Sequence, residues 1–412
     1  MTSMLTVPFF RPSVTQAEID EVADTLRSGW LTTGPKTRLF ETEFAAYVGA
    51  QHAVAVNSCT AALHLALEAV GLKRGELVLV PTMTFAATAE VVRYFDAIPV
   101  LVDCDAESLC MSVEAARATL VALRSGKPVA GLNPPYGKVR ALIPMHYGGQ
   151  MVDVDGMRAL ASEYDLALIE DAAHTLPAGY RRDASSPWRR AGTTGDVTCF
   201  SFYANKCITT GEGGMAVTDD DTLAERMRIM SLHGISKDAW KRYTAAGSWY
   251  YEIIAPGFKY NLTDVAAAIG IHQLRRADDL WAERRAVVER YQRALGDLDA
   301  IELPREAPNR QHAWHLFPVR LRVGAWKIDR AQVIDELKAR GISTSVHWMP
   351  LHLHPYYRDA FGYRPGLFPV AESIWPRLIS LPIFPGMRED EIDAVVAGLR
   401  AIAGMQTTAG QG

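Results

Sequence analysis

No C-x-x-C pair occurs among the five cysteines of this 412-residue chain, and the spacings of Cys59, Cys104, Cys110, Cys199 and Cys207 fit no zinc template. No metal is expected. The odd count points instead to free thiols in a reducing compartment. No apolar run approaches the roughly 18 residues needed to cross a bilayer. Residues 1–11 lack a charged stretch followed by a long apolar one, so no secretory leader is read there. The expectation is a cytoplasmic protein without a membrane partner. Strongly basic stretches are missing too: 43 Lys plus Arg stand against 47 Asp plus Glu, a formal net charge of −4. Nucleic acid is therefore not an expected partner, and the basic pairs at 181–182, 189–190 and 275–276 read as solvated surface. The first strand is not followed by G-x-G-x-x-G, which sets aside a dinucleotide-binding dehydrogenase.

What remains is the composition of a folded enzyme: 49% hydrophobic and 22% charged residues, with length for two or three domains. Between about 41 and 220, short β-rich runs alternate with helical stretches. "HAVAV" (52–56) precedes a helix at 60–70, "LVLVP" (77–81) precedes one at 86–95, and "PVLVDC" (99–104) follows. "ALIPMHY" (141–147) and "LALIED" (166–171) flank a helix near 155–164, and "VTCFSF" (197–202) and "GGMAVT" (213–218) read as further strands. Continuous apolar strands separated by helices predict a largely parallel sheet covered on both faces. A long helix is read from 261–264 to about 274, then a second to about 295. Beyond it come a strand, "HAWHLFPVRL" (312–321), and a helix near 329–340, the pattern of a smaller α+β unit. Segments 123–139 and 181–191 are rich in Gly, Pro, Ser and Arg and read as surface loops, and the tail from 407 as disordered.

Three stretches could carry chemistry. Asn57, Ser58, Cys59 and Thr60 lie where a strand turns into a helix, and free N–H groups with hydroxyls beside them can cradle a phosphate. An ordinary Ser/Thr helix cap explains the same letters. Asp171 ends an apolar strand, where ligands gather in open α/β sheets, and a carboxylate buried there needs a partner such as a cationic ring nitrogen. His174 follows three residues on. Lys206 sits between two apolar strands ahead of the glycine-rich turn 211–214; desolvation would lower its pKa and make it a nucleophile for a Schiff base. A P-loop is ruled out because the lysine precedes the glycines. Together, the cradle, the strand-end carboxylate and the lysine are what pyridoxal phosphate requires, and Phe85, read as ending a strand, could stack on its ring.

At these residues the sequence resembles the DegT/DnrJ/EryC1/StrS sugar aminotransferases over about 8–403. The matching motifs include "NSCTAALH" (57–64), "IEDAAH" (169–174), "SFYANKCITTGEGG" (201–214), "FKYNLTDVAAAIG" (258–270), "HAWHLF" (312–317) and "HWMPLHLHPYY" (347–357). The resemblance implies an α/β, fold-type I pyridoxal-phosphate-dependent transferase. Its large domain (12–275) would hold a mixed, mostly parallel sheet between helices. A smaller α+β domain (276–405) would pack with residues 1–11. It implies that Lys206 holds the cofactor aldehyde and moves the proton, that Asp171 binds the ring nitrogen, and that His174 lies near the phenolic oxygen. Cys59 and Thr60, with Ser201, would hold the phosphate. Cys59 stands where relatives carry Gly or Ala, so its backbone N–H is the implied contact. Phe85 would stack on the ring, and Asn261 would reach the phosphate of a partner subunit's cofactor, making a homodimer with shared sites. The implied reaction moves the amino group of glutamate, by way of pyridoxamine phosphate, to a nucleotide-linked keto sugar. The pattern is most similar to enzymes acting at C4 of UDP-4-keto sugars, and the product is an amino sugar for glycan, lipopolysaccharide or antibiotic synthesis. Thr32, Thr33, Tyr260, His315 and His347 are candidate substrate contacts. A pyridoxamine-dependent sugar dehydratase is a rival, but those relatives carry His at the lysine position; a non-catalytic cofactor-binding sensor is another.

Overall fold

The computed structural model describes residues 5–236 and 251–406, so the expected disordered tail lies outside the described residues. The chain opens with helices α1 (Gln16–Ser28) and α2 (Pro35–Val48). Then come β1 (His52–Val56), α3 (Cys59–Ala69), β2 (Leu77–Pro81), α4 (Ala87–Arg93), β3 (Ile98–Val102), α5 (Val113–Arg124) and β4 (Val139–Leu142). α6 (Val154–Tyr164) leads to β5 (Ala167–Asp171), the two-residue strands β6 (Gly179–Tyr180) and β7 (Arg189–Arg190), then β8 (Val197–Ser201) and β9 (Gly214–Thr218). Helices α7 (Asp221–Ser231), α8 (Asp264–Arg275) and α9 (Ala277–Leu295) follow. The remainder is β10 (Ile301–Glu302), β11 (Arg310–Gln311), β12 (Phe317–Leu321), α10 (Arg330–Ala339), α11 (Pro355–Phe361), α12 (Pro369–Ile374), β13 (Leu378–Leu381) and α13 (Glu389–Gln406).

Seven strands form one sheet in the order β1-β9-β8-β5-β4-β2-β3. The β2–β3, β2–β4, β4–β5 and β5–β8 pairs are parallel, and β9 runs antiparallel to both its neighbours. Residues of β2, β5, β8 and β9 are almost entirely buried, as a sheet covered on both faces demands. Because β1 and β8 both run antiparallel to the β9 between them, and β8 runs parallel to β5, the C-terminal ends of β1, β5 and β8 lie on one side of the sheet, where ligands gather in open α/β folds.

A second core gathers around β12, β13, α10 and α13, and Val7 belongs to it: its N–H donates to Gly341 O at 2.8 Å. Residues 351–378 pack instead with the first core. There Tyr363 Oη accepts from Leu101 N at 3.1 Å, and Asp103 accepts from Val370 N and Ala371 N, both at 3.0 Å.

Four local expectations need correction. The strand read over 312–321 begins only at Phe317. Trp314 takes a left-handed φ of 52° and its N–H donates to His312 Nδ1 at 2.8 Å, so 312–316 curls rather than extends. Phe85 lies beyond β2, not at its end, in a turn closed by Thr88 N donating to Phe85 O. The segment 181–191 is not all loop: β7 pairs with β6, and β6 with β11, the Arg189 and Arg310 guanidiniums flanking the Tyr180 ring. In 123–139, α5 extends to Arg124 and Val139 opens β4, leaving only 125–138 as loop.

Candidate active site

At the end of β5, the Asp171 carboxyl is 4% exposed. Its Oδ2 accepts from Thr88 Oγ1 at 2.7 Å and its Oδ1 from Ala173 N at 3.2 Å. Burial pushes its pKa up, while Thr88, Ala173 and the nearby Lys206 ammonium hold it down. Thr88 is itself hydrogen-bonded to Thr84 Oγ1 at 2.6 Å, so the support is fixed from α4.

Lys206 sits in the turn between β8 and β9, its N–H donating to Tyr203 O at 2.9 Å. Withdrawal from water lowers its pKa, and the carboxyl of Asp171 and the thiols of Cys59 and Cys207 oppose that shift. Two glycines make the turn workable. Gly211 takes φ 81°, and a Cβ on Gly214 would come within 2.4 Å of the Ser58 carbonyl. The lysine turn is thereby pressed against the start of α3.

That helix start satisfies both readings of its sequence. Ser58 is the N-cap, its Oγ accepting from Ala61 N at 3.1 Å. The Cys59 thiol turns inward to Cys199 O at 3.5 Å, and burial drives its pKa up, so it is a packed neutral group. Backbone N–H groups at the first turn remain for an anion. Ser201, partly buried at the end of β8, receives Tyr203 N at 3.4 Å.

Three imidazoles close the pocket. His174 Nδ1 accepts from Gly148 N at 3.2 Å, which leaves its Nε2 as the donor. His315 stands 4.1 Å from it, centroid to centroid, with a buried Nδ1 that has no partner. His347 Nδ1 meets Ser380 Oγ at 2.9 Å, and burial lowers its pKa to about 4. Burial also drives the other two down, and the Lys206 charge adds to the shift in all three. Two groups went unread in the sequence. Thr88 lies in "TFAAT", whose hydroxyl shows no periodic signal; Trp348 stacks on His174 at 5.2 Å and reaches Phe85 at 6.3 Å. Phe85 itself is 58% exposed.

The other predicted residues form a separate cluster. Asn261 Nδ2 donates to Thr33 Oγ1 at 2.7 Å, and Thr33 donates to Leu262 O. Thr32 O accepts from Asp264 N at 3.2 Å. Tyr260 Oη pairs with His64 Nδ1 at 3.0 Å, and Tyr260 O accepts from Asn57 N, tying this cluster to the β1–α3 turn. Thr263, not Asn261, caps α8.

The arrangement can hold a phosphate at α3, a cationic heterocycle over Asp171 and a carbonyl beside Lys206. The pattern of the DegT/DnrJ/EryC1/StrS aminotransferase family matches residues 12–400. Over 396 residues the chain is 45% identical to MJ1066 of Methanocaldococcus jannaschii, an uncharacterized protein, covering 96% of this chain and 97% of that one. It is 43% identical to the spore coat polysaccharide biosynthesis protein SpsC of Bacillus subtilis, with the same coverage. Among solved structures, the putative sugar aminotransferase Spr1654 of Streptococcus pneumoniae in its PLP form superposes with a TM-score of 0.84 at 30% identity, over 97% of this chain and 99% of that one. S. venezuelae DesV gives 0.83 at 32%, over 97% and 98%.

Proposed function

Because this chain belongs to the DegT/DnrJ/EryC1/StrS aminotransferase family, we propose that it binds pyridoxal phosphate and uses it to aminate a nucleotide-linked keto sugar, at C4, with glutamate as donor. The observation that carries this reading is the buried Asp171 carboxyl at the end of β5, held by Thr88 and Ala173, with the half-buried Lys206 close enough that each shifts the other's titration. A carboxylate sealed at 4% exposure is costly unless a cation meets it, and a protonated pyridine nitrogen is such a cation. The orphaned His315 Nδ1 likewise fits a pocket that takes a polar guest.

In this reading Asp171 keeps the ring nitrogen protonated, the first N–H groups of α3 with Thr60 and Ser201 hold the phosphate, and His174 and Phe85 frame the ring. Pyridoxal phosphate, when bound, supplies an aldehyde that accepts amines and a cationic ring that draws electrons. Lys206 is the general base: an amine with a lowered pKa is neutral often enough to take a proton from the substrate carbon and return it. His315 and His347 stay neutral and offer imidazole nitrogens to sugar hydroxyls, while Thr32, Thr33 and Tyr260 serve the same substrate from the second cluster. Asn261 acts toward the partner subunit's phosphate in a homodimer, and residues 12–275 form the cofactor-binding domain. SpsC, a relative named for polysaccharide synthesis, supports a sugar as substrate.

The test is to load the protein with pyridoxamine phosphate and incubate it with a panel of nucleotide-linked keto sugars, UDP-4-keto sugars among them. Return of the aldehyde absorbance with one sugar, and release of 2-oxoglutarate when glutamate is added to the aldehyde form, are the expected results. A sugar product that has lost oxygen without gaining nitrogen would identify a dehydratase instead.

A further inference from the structure

Beside the lysine turn lies a cation that no carboxylate among the described residues meets. Arg284, on α9, is 3% exposed. Its Nη1 donates to Ile383 O at 3.0 Å and to Trp314 O at 3.4 Å, both carbonyls of the second unit, yet its Nε–H has no partner. The neighbour of Lys206, Asn205, has the complementary defect: its Oδ1 is buried and receives no donor. Both side chains line one small cavity with Lys206, Cys207, Thr209 and Gln273, and none of the residues lining it is acidic. The cavity has about 10 Å³ for the centre of a water-sized sphere, close to what one buried water needs.

We propose that this cavity is a binding site for a single ordered water molecule, which accepts from Arg284 Nε–H and donates to Asn205 Oδ1, and that Arg284 through this water is a positioning residue for Lys206. One water within reach of both atoms would serve both at once. It accepts from the guanidinium and returns a hydrogen to the amide, whereas a halide could serve only the cation. Each buried polar atom left alone would be destabilising, so the pair of orphans in one void is itself the signature of the guest. Mechanically, the bridge ties the turn that carries the reacting amine to the helix whose guanidinium also grips Trp314 and Ile383. The orientation of Lys206 is thus coupled to the same segment that presents His315.

The positioning half rests on the proposed role of Lys206, but the solvent half does not. The experiment therefore has two readouts on the holoenzyme. A crystal structure that resolves ordered solvent should show one peak within hydrogen-bond reach of both Arg284 Nε and Asn205 Oδ1. An empty cavity would overturn the site, as would an anomalous peak there in crystals grown with bromide. In Arg284→Lys, which keeps a charge but loses the Nε–H, the peak should vanish. For positioning, Asn205→Ala removes the acceptor with little risk to the fold. We expect kcat to fall about tenfold, less than the hundredfold that a displacement of about 1 Å can cost. The KM for the keto sugar should hold within about twofold, while the pH at which the bound cofactor's absorbance titrates should move. Unchanged kcat and an unmoved titration in Asn205→Ala would remove the positioning role even if the water is present. Loss of cofactor binding in the unsubstituted protein would instead defeat the reading of Lys206 and leave the solvent result standing.

Discussion

The pocket around Lys206 and the cluster around Asn261 are built on opposite plans. The first is assembled from strand ends a few residues from the core, and it leaves polar atoms unserved: the His315 Nδ1 is orphaned and the Asp171 carboxyl is buried with only two donors. The second satisfies itself. Asn261 is held by Thr33 and contacted by Lys259 Nζ, while Thr33 spends its own hydrogen on Leu262 O. Unmet demand in a buried place marks where a guest belongs. A cluster bonded within itself has less to offer a guest, and what Asn261 keeps is the second N–H of its amide, since Thr33 takes one of the two. The two regions should therefore respond very differently to substitution.

The largest effect belongs to the first region. Lys206→Ala should lower turnover by about 10⁴-fold or more, the upper range for one general acid–base group, and abolish the cofactor's lysine-dependent absorbance while the circular dichroism is retained. Normal transamination in this variant would take Lys206 out of the chemistry. Next is Asp171→Asn, which keeps the size and can still accept from Thr88 but carries no charge. We expect a loss of about 10²- to 10³-fold in kcat, comparable to removing one preorganised electrostatic group. Steady-state rates equal to those of the unsubstituted protein would show that the carboxylate does not serve the ring.

Much of this first region could be read from the letters, because strand ends are where apolar runs stop. "LALIED" closes on Asp171 and "VTCFSF" leads to Lys206, so the sheet and the placing of these two candidate groups at its end were legible together. The glycines of 211–214 were legible as a turn but not as a close approach; only the packing of Gly214 on Ser58 shows why that position carries no side chain. Thr88 was hidden because its role depends on α4 facing β5, a contact 83 residues away in sequence. The curl at 312–316 misled for a local reason: a β-like run of apolar and aromatic letters was overruled by His312 capturing the Trp314 N–H. Thr33 and Asn261 were individually legible as candidates, while their mutual bond, spanning 228 positions, was not.

Smaller effects should sharpen the contrast in the second region. Asn261→Ala removes a group that is already engaged with Thr33. If Asn261 also reaches the partner subunit's phosphate, cofactor retention on dilution should weaken by about tenfold, the scale of one hydrogen bond to a charged group. Equal retention in the variant and the unsubstituted protein, measured by cofactor release from diluted dimers, would confine Asn261 to its bond with Thr33.

The smallest effect concerns stability rather than chemistry, and it tests whether the second region is as self-contained as it looks. Thr33 and Asn261 border a groove that also holds Glu41, whose Oε1 accepts from Ala55 N at 2.8 Å. Burial raises the Glu41 pKa from its ordinary 4.5 to about 7, although Arg228 and Arg38 pull the other way. A raised carboxyl pKa means that the folded chain holds a proton that the unfolded chain releases. Its contribution is therefore fully present below about 4.5 and is lost as pH rises through about 7. Glu41→Gln cannot ionise, yet its amide oxygen can still accept from Ala55. The variant should match the parent near pH 4.5 and exceed it at pH 8 by up to about 3 kcal/mol, since a tenfold change in proton affinity corresponds to about 1.4 kcal/mol. Melting curves at the two pH values decide the matter. An equal change at both would assign the effect to packing, and a Glu41 that ionises freely in the folded chain would mean that water already reaches this groove.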